Sequence, residues 1–165
     1  MKAFYLDASA HAKRYVPEKG SAQIDAILDT LPSGRIFMLN ISAGEIMSIL
    51  VRKRNSGFLT NFEFGQALAN FDAEIFRATR VSKASVTSRL VRSSLPLILA
   101  HSINSSDALA LHSALAIARR LRRAGDDLVL VASDRRLLRA AQAEGLTTFN
   151  PESQDQAALA ALIQP

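Results

Sequence analysis

Four acidic residues stand where a predicted strand or apolar loop gives way to a helix: Asp7, Glu45, Asp107 and Asp134. The helical connections between the strands indicate that the strands run parallel, so their carboxyl ends should lie at one edge of the sheet. Open α/β sheets bind their ligands at that edge. We therefore expect the four carboxylates to share one acidic pocket.

Carboxylates gathered in this way repel one another. Two of them about 4 Å apart cost on the order of 4 kcal/mol at an effective dielectric of about 20, so protons or a cation must neutralise the pocket. The chain has no Cys and only three His, and a cluster of oxygen ligands suits Mg²⁺ or Mn²⁺ better than Zn²⁺. Such ions orient and deprotonate water and stabilise charge on a phosphoryl group. The residues predict metal-assisted phosphodiester hydrolysis.

Helix capping offers a simpler role for each acid. Carboxylates are common at helix amino termini because they accept hydrogen bonds from free N–H groups and suit the positive end of the helix dipole. Taken singly, Asp7, Asp107 and Asp134 are best interpreted as caps, and Glu45 is the fourth residue of the capping-box pattern Ser42-Ala43-Gly44-Glu45. Independent caps, however, have no reason to converge on one edge of a sheet.

Two observations favour a functional role. Glu45 shares a helical face with Ile41 and Ile49, where a carboxylate without a partner is costly. Asp7 directly follows an apolar strand and precedes Ser9 by two residues, which places a hydroxyl beside the carboxylate at the mouth of the sheet.

The hydrophobic pattern predicts a single α/β domain over residues 1–165, because 165 residues with 48% apolar content suit one hydrophobic core. Strands are expected at 2–6, 35–40, 128–132 and 146–149, with a short edge strand at 79–81. Helices are expected at 8–15, 21–31, 42–55, 60–75, 82–95, 107–122, 134–143 and 157–163. No secretory leader, membrane span or disulfide is indicated, so we expect a cytoplasmic protein with no membrane partner.

Four stretches resemble the signature stretches of PIN-domain ribonucleases, most closely those of VapC-like toxins. They are Tyr5-Leu6-Asp7-Ala8-Ser9, Ala43-Gly44-Glu45, Ser106-Asp107-Ala108-Leu109 and Ala132-Ser133-Asp134-Arg135-Arg136-Leu137. The resemblance covers almost the whole chain in order. It implies a three-layer α/β/α fold with a mainly parallel central sheet, Mg²⁺- or Mn²⁺-dependent endoribonuclease activity on RNA, and neutralisation by a cognate antitoxin.

The resemblance also implies residue roles. Asp7, Glu45 and Asp107 would be metal ligands, and Asp134 would complete the site directly or through water. Ser9 and Ser133 would be supporting hydroxyls. The chain departs from the family at Asn104, where an Arg is common, and at Ala132, where a hydroxyl is common, and it is longer around residues 80–102.

The basic residues suit a polyanionic partner. With four of the 15 carboxylates in one pocket, 11 remain against 20 Lys and Arg residues, an excess of nine positive charges. Lys13 and Arg135 are predicted to contact RNA phosphates because each lies near a proposed ligand, whereas the cluster from Arg119 to Arg123 is expected to be a solvated face. Charge alone fits a basic protein without a nucleic-acid partner equally well.

Two other functions stay open. Asp7 could be the nucleophile of a phosphatase, although the residue two positions beyond it is Ser9 and no second Asp is there to act as an acid. The chain could also be a non-catalytic RNA- or protein-binding module whose acids only cap helices. The apolar region around Phe62, Phe64 and Phe71 suggests a homodimer or, alternatively, packing inside the fold.

Overall fold

A five-stranded sheet forms the centre of the molecule. In the computed structural model, which describes residues 2–163, the strands are β1 (Ala3–Leu6), β2 (Ile36–Leu39), β3 (Val81–Ala84), β4 (Leu128–Val131) and β5 (Thr147–Phe149). Their order is β3-β2-β1-β4-β5, and all four pairings are parallel. The expected α/β fold with a mainly parallel sheet is confirmed.

Eight α-helices flank the sheet within residues 2–163. They are α1 (Ala8–His11), α2 (Ser21–Thr30), α3 (Ser42–Asn55), α4 (Asn61–Asp72), α5 (Ser88–His101), α6 (Ser105–Arg122), α7 (Arg135–Ala143) and α8 (Gln156–Ile163). A 3₁₀ turn (Ala12–Arg14) extends α1, and a π-helical turn (Ala73–Arg77) extends α4. None of these helices is long and apolar enough to cross a membrane.

The three central strands, β1, β2 and β4, contribute side chains to two separate cores. Along β1, Phe4 and Leu6 pack with residues from α1 to α4 and α8, whereas Ala3 and Tyr5 pack with residues from α5, α6 and α7. Successive side chains of a strand point to opposite faces of a sheet, so a strand covered on both faces must be apolar at every position. This explains the uninterrupted apolar runs and gives the three-layer α/β/α architecture.

The segment between α4 and α6 departs from the prediction. The edge strand expected at 79–81 occupies Val81–Ala84, and the helix expected from Ser82 begins only at Ser88. Thr87 sets that start because its hydroxyl accepts a hydrogen bond from the backbone N–H of Leu90 at 3.1 Å. Pro96 was expected to end the helix, but α5 continues through it to His101. Packing of α5 against α6, with Leu97 buried, offsets the backbone hydrogen bond that a proline removes.

The three phenylalanines proposed for a dimer have different environments. Phe71 is buried in the core and Phe64 packs partly against it, whereas the side chain of Phe62 is 74% exposed. Two of the three rings therefore serve the fold itself. The homodimer stays a prediction.

Gly20 is the glycine that the fold constrains most closely. It precedes α2 with φ +95°, and a Cβ there would lie 2.9 Å from the carbonyl carbon of Pro151. We expect Gly20→Ala to lower the free energy of unfolding by about 2 kcal/mol, because strain and backbone overlap add together. Gly65 in α4 has nothing within 4 Å of its Cβ position, so Gly65→Ala should raise that free energy by about 0.5–1 kcal/mol. Urea denaturation compares the two, and equal effects would contradict the expected contact.

Candidate functional site

The loops that follow β1 and β4 meet at the carboxyl edge of the sheet. These neighbouring strands belong to the two halves of the sheet, so the edge between them is the topological switch point where such sheets bind ligands. The backbone N–H of Asp7 donates to the carbonyl of Val131 at 2.9 Å. The N–H of Ser133 donates to the hydroxyl of Ser9 at 3.1 Å. These bonds fix the loop carrying Asp7 against the loop carrying Asp134.

Asp7 caps α1 as well as facing the switch point. Its Oδ2 accepts hydrogen bonds from the backbone N–H of Ser9 at 3.1 Å and from the Ser9 hydroxyl at 2.6 Å. Ser9, predicted as a supporting hydroxyl, therefore connects the Asp7 carboxylate to the backbone of Ser133. Ser133, also predicted to support the site by its hydroxyl, contributes its backbone N–H to this arrangement.

Glu45 does not cap a helix. Helix α3 begins at Ser42 after Ile41, and no side chain caps its first turn, so the capping box predicted for Ser42 and Glu45 is wrong. Ser42 is itself buried as the first helical residue, which removes it from the capping position. The other predicted box does form: Thr60 and Glu63 bond reciprocally at the start of α4. The carboxylate of Glu45 thus remains available for another role.

Asp107 does not act as a cap either. Asn104 caps α6 by accepting a hydrogen bond from the backbone N–H of Asp107 at 2.8 Å, which gives the departure at Asn104 a structural role. The Asp107 side chain is 7% exposed, and its Oδ2 is buried without a hydrogen-bond partner. A buried carboxylate oxygen without a donor is costly. Asp107 is therefore an acid whose position the fold alone does not explain.

Asp134 fits the capping interpretation. Its Oδ1 accepts hydrogen bonds from the backbone N–H groups of Arg136 at 2.6 Å and Leu137 at 3.3 Å, which closes the first turn of α7. Two of the four acids, Asp7 and Asp134, are thus helix caps. The other two are not.

Three of the predicted acids line one cavity of about 370 Å³. Its lining includes Asp7, Glu45 and Asp107, the hydroxyl-bearing residues Ser9, Ser48 and Ser106, and the guanidinium-bearing Arg52. Asp134 is not part of that lining. It nevertheless stands close enough for its charge to act on Asp7 and Asp107. The structure therefore brings three of the four acids together and places the fourth beside them.

Burial and mutual repulsion make these acids hard to ionise. Burial raises the pKa of Asp107 to about 6, with further increases from the charges of Asp7 and Asp134 and an opposing effect from Arg136. The pKa of Asp7 is raised chiefly by burial, against the hydrogen bonds it accepts, and also by the charge of Asp134. Burial, together with the charge of Asp7, likewise raises the pKa of Glu45. Each of these shifts favours a proton or a cation in the cavity.

The donor set suits a hard cation, although the acids do not form a closed cage. Within residues 2–163, no three His, Cys, Asp or Glu side chains are arranged to hold a metal ion. Mg²⁺ does not require such a cage, because it usually keeps several waters and binds one or two carboxylates. The unpartnered Oδ2 of Asp107 and the all-oxygen acidic lining fit that mode of binding.

Neither Lys13 nor Arg135, the two residues predicted to contact RNA phosphates, lines the acid cavity. The Lys13 ammonium is buried and donates to Glu18 at 2.8 Å and to Glu152 at 2.7 Å. Although burial alone would lower it, these hydrogen bonds raise the pKa of Lys13. This geometry favours a structural role over a phosphate contact. Arg135 is exposed and lines a separate cavity, whereas its neighbour Arg136 is the residue whose charge reaches Asp107.

Arg52 is the site residue that sequence reasoning did not single out. It lines the acid cavity and is exposed, and its guanidinium forms no hydrogen bond or ion pair within residues 2–163. It stands seven residues after Glu45, two turns along the same face of α3. That spacing is the signal that could have separated Arg52 from Lys53 and Arg54 in the same basic run.

Comparison with known proteins supports the fold. No protein-family model and no curated protein matches the chain. Among solved structures, it is similar to the crystal structure of PAE2754 from Pyrobaculum aerophilum, with a TM-score of 0.56 and 17% sequence identity. The alignment covers 97% of this chain and 96% of that one. At this identity the similarity shows a shared fold over nearly the full length of both chains.

Proposed function

We propose that this protein is a Mg²⁺- or Mn²⁺-dependent endoribonuclease. The observation that supports this most strongly is that Glu45 and Asp107, which cap no helix, line the same cavity as the cap Asp7. Holding these carboxylates together is unfavourable for the isolated chain. A bound divalent cation would offset that repulsion, which explains why the fold keeps the three carboxylates together.

The residues of the cavity have distinct parts in this proposal. Asp7, Glu45 and Asp107 would hold the ion, with Asp134 beside them, and Ser9 would keep the Asp7 carboxylate oriented. A bound Mg²⁺ or Mn²⁺ supplies an activated water and stabilises negative charge on the phosphoryl group. Attack in line at phosphorus would leave a 5′-phosphate and a 3′-hydroxyl.

The two rival functions explain less of the site. A module whose acids only cap helices accounts for Asp7 and Asp134 but leaves Glu45 and Asp107 without a reason for their position. For a phosphatase with Asp7 as nucleophile, Oδ2 is already engaged by two hydrogen bonds from Ser9. No second carboxylate stands two residues further along the chain to protonate a leaving group.

Cleavage of single-stranded RNA with Mn²⁺, with Mg²⁺ and with a chelator tests the proposal. We expect cleavage with either ion, none with the chelator, and fragments that carry a 5′-phosphate. Chelator-resistant cleavage, or fragments ending in a 2′,3′-cyclic phosphate, would contradict a metal-dependent mechanism. A phosphoaspartate trapped with a small phosphate donor would favour the phosphatase instead.

Arg52 is expected to bind the substrate next to the acids. Arg52→Ala should lower kcat/KM for RNA about tenfold, because a charge-assisted hydrogen bond to phosphate is lost from a partly solvated site. Arg54→Ala is the matched control, since Arg54 lies on the same helix, bonds to Asn55 and covers the ring of Phe64. Steady-state cleavage rates compare the two. Equal losses would point to general charge rather than to a contact in the cavity.

We further propose that the protein is the toxin half of a toxin–antitoxin pair. The support is the resemblance of its four motif stretches to VapC-like toxins. Expression of the protein alone should slow growth, and Asp7→Asn should relieve that effect. Co-expression of a small protein encoded next to it should do the same while leaving the nuclease folded. Growth unaffected by active nuclease would separate the enzyme from the toxin role.

A further inference from the structure

A second cavity, of about 400 Å³, is lined by residues of α7, of β5 and of the loop after β5. Its lining combines Arg135, Leu138 and Arg139 with the polar residues Gln142, Thr148, Asn150, Ser153 and Gln154. None of the lining residues is acidic. The lining therefore carries two positive charges, the reverse of the charge in the acid cavity.

The two arginines are available to a ligand. Arg135 and Arg139 are one helical turn apart, so both project from the same face of α7. Both are exposed, and in the described part of the chain neither guanidinium group forms a hydrogen bond or an ion pair. Two guanidinium groups held on one rigid helix, with no carboxylate to neutralise them, suit an oxyanion such as phosphate.

Hydrogen bonds fix the polar residues that line the rest of the cavity. The Gln142 side-chain amide donates to the Thr148 hydroxyl at 2.8 Å, which joins α7 to β5. In the loop after β5, the N–H of Asn150 donates to the side-chain oxygen of Gln154 at 2.8 Å, and Asn150 Oδ1 accepts from the N–H of Glu152 at 2.9 Å. Hydrogen bonds thus hold several of the side chains that line the cavity in defined positions.

The start of α7 carries residues related to both cavities. Asp134 caps the helix and acts on the acids, and Arg136 lies near enough to lower the pKa of Asp107. Arg135, between them in sequence, instead lines the second cavity. Three consecutive residues at the start of α7 thus include two that act on the acids and one that lines the second cavity.

We propose that this second cavity binds a backbone phosphate of the same RNA strand whose scissile phosphate lies in the acid cavity. The inference rests on the proposed function and adds to it that recognition extends beyond the cleaved bond. Its ligand is the phosphodiester backbone, so binding is expected to depend on strand length and salt more than on base sequence.

Equilibrium binding of a labelled single-stranded RNA of about 12 nucleotides, measured in chelator so that no cleavage occurs, tests the subsite directly. Arg135→Gln combined with Arg139→Gln should weaken binding about tenfold and reduce the slope of log K against log salt by about 1.4. Arg119→Gln combined with Arg120→Gln is the control, because it removes two exposed charges from α6. The double Lys variant, Arg135→Lys with Arg139→Lys, should keep a slope near that of the wild type.

The length of the substrate gives a second readout. Cleavage of the shortest RNAs that the enzyme accepts should be the same in the double Gln variant and the wild type, whereas longer RNAs should show a raised KM with little change in kcat. Unchanged RNA binding in that variant, or an equal loss in the Arg119 and Arg120 control, would overturn the subsite. Cleavage without any dependence on these arginines would leave the nuclease standing and remove the subsite. RNA binding that depends on these arginines, in a protein that cleaves no RNA, would support the subsite and contradict the proposed nuclease.

Discussion

Replacing Asp7 with Asn is expected to lower the rate of RNA cleavage about 10³-fold or more. A bound divalent ion supplies several kcal/mol of transition-state stabilisation, and each 1.36 kcal/mol corresponds to about a factor of ten in rate. Asp7 borders β4 at the switch point, and its Oδ2 is held by Ser9. An amide oxygen can still accept those hydrogen bonds, so the fold should survive while the charge is lost.

Single-turnover cleavage measures the chemical step, and thermal unfolding checks the fold of the variant. The matched control is Asp72→Asn, which removes a carboxylate from the surface of α4 that pairs with Arg77 and does not line the cavity. The control should retain nearly full activity. Cleavage by correctly folded Asp7→Asn at a rate within about tenfold of the wild type would show that Asp7 does not hold an ion needed for the chemistry.

The architecture could be predicted from the sequence because the three central strands are buried on both faces. In β4, for example, all four residues from Leu128 to Val131 are fully buried, and a continuous apolar run has few alternatives in a chain that alternates strands with helices. Gly145 then marks the end of α7 with a φ of +78°, as helix-stop signals predict. In β4 and at the end of α7, the local sequence pattern indicates the same structure that tertiary packing favours.

The segment that forms β3 and α5 could not be read in the same way. β3 is an edge strand with a single buried residue, Val81, so its hydrophobic pattern is weak. Pro96 is a strong local signal against a helix, and only the packing of α5 against α6 reverses it. That packing depends on residues far apart in sequence, which periodicity does not report.

The acids at the site could be named from the sequence, but their individual roles could not. Helix-start patterns place Asp7 and Asp107 alike, yet one caps its helix and the other leaves that task to Asn104. The choice between Arg135 and Arg136 depends on which way each side chain leaves the first turn of α7. The burial of Lys13 between two carboxylates depends on the loop after β5, more than 130 residues away.

The raised pKa of Asp107 predicts how the stability of the metal-free protein depends on pH. Burial and neighbouring acids raise this pKa from 3.8 to about 6, so the folded state binds more protons than the unfolded state between about pH 4 and pH 6. Stability contributed by this group is therefore present at low pH and is lost as the pH rises. The loss amounts to about 3 kcal/mol once Asp107 is ionised.

His11 changes the stability of the protein with pH in the opposite direction, so its contribution must be separated from that of Asp107. Burial, with a smaller contribution from Arg14, lowers the pKa of His11 from 6.5 to about 4, so its contribution to stability grows as the pH rises between about 4 and 6.5. The pH profile of the wild type alone would mix these two groups with Asp7 and Glu45, whose pKa values are also raised. The difference in unfolding free energy between Asp107→Asn and the wild type cancels His11 and reports Asp107 together with its coupling to the neighbouring acids.

In chelator, Asp107→Asn should match the stability of the wild type near pH 4 and exceed it by up to about 3 kcal/mol near pH 7. Denaturant unfolding at several pH values measures this difference. Adding Mn²⁺ at about 100 times its Kd should then stabilise the wild type by about 2.7 kcal/mol, and the variant by much less because a ligand is gone. A difference that stays constant with pH would mean that burial and the charges of Asp7 and Asp134 do not raise the pKa of Asp107. A variant that gains as much from Mn²⁺ as the wild type would mean that the carboxylate shares the cavity but does not hold the ion.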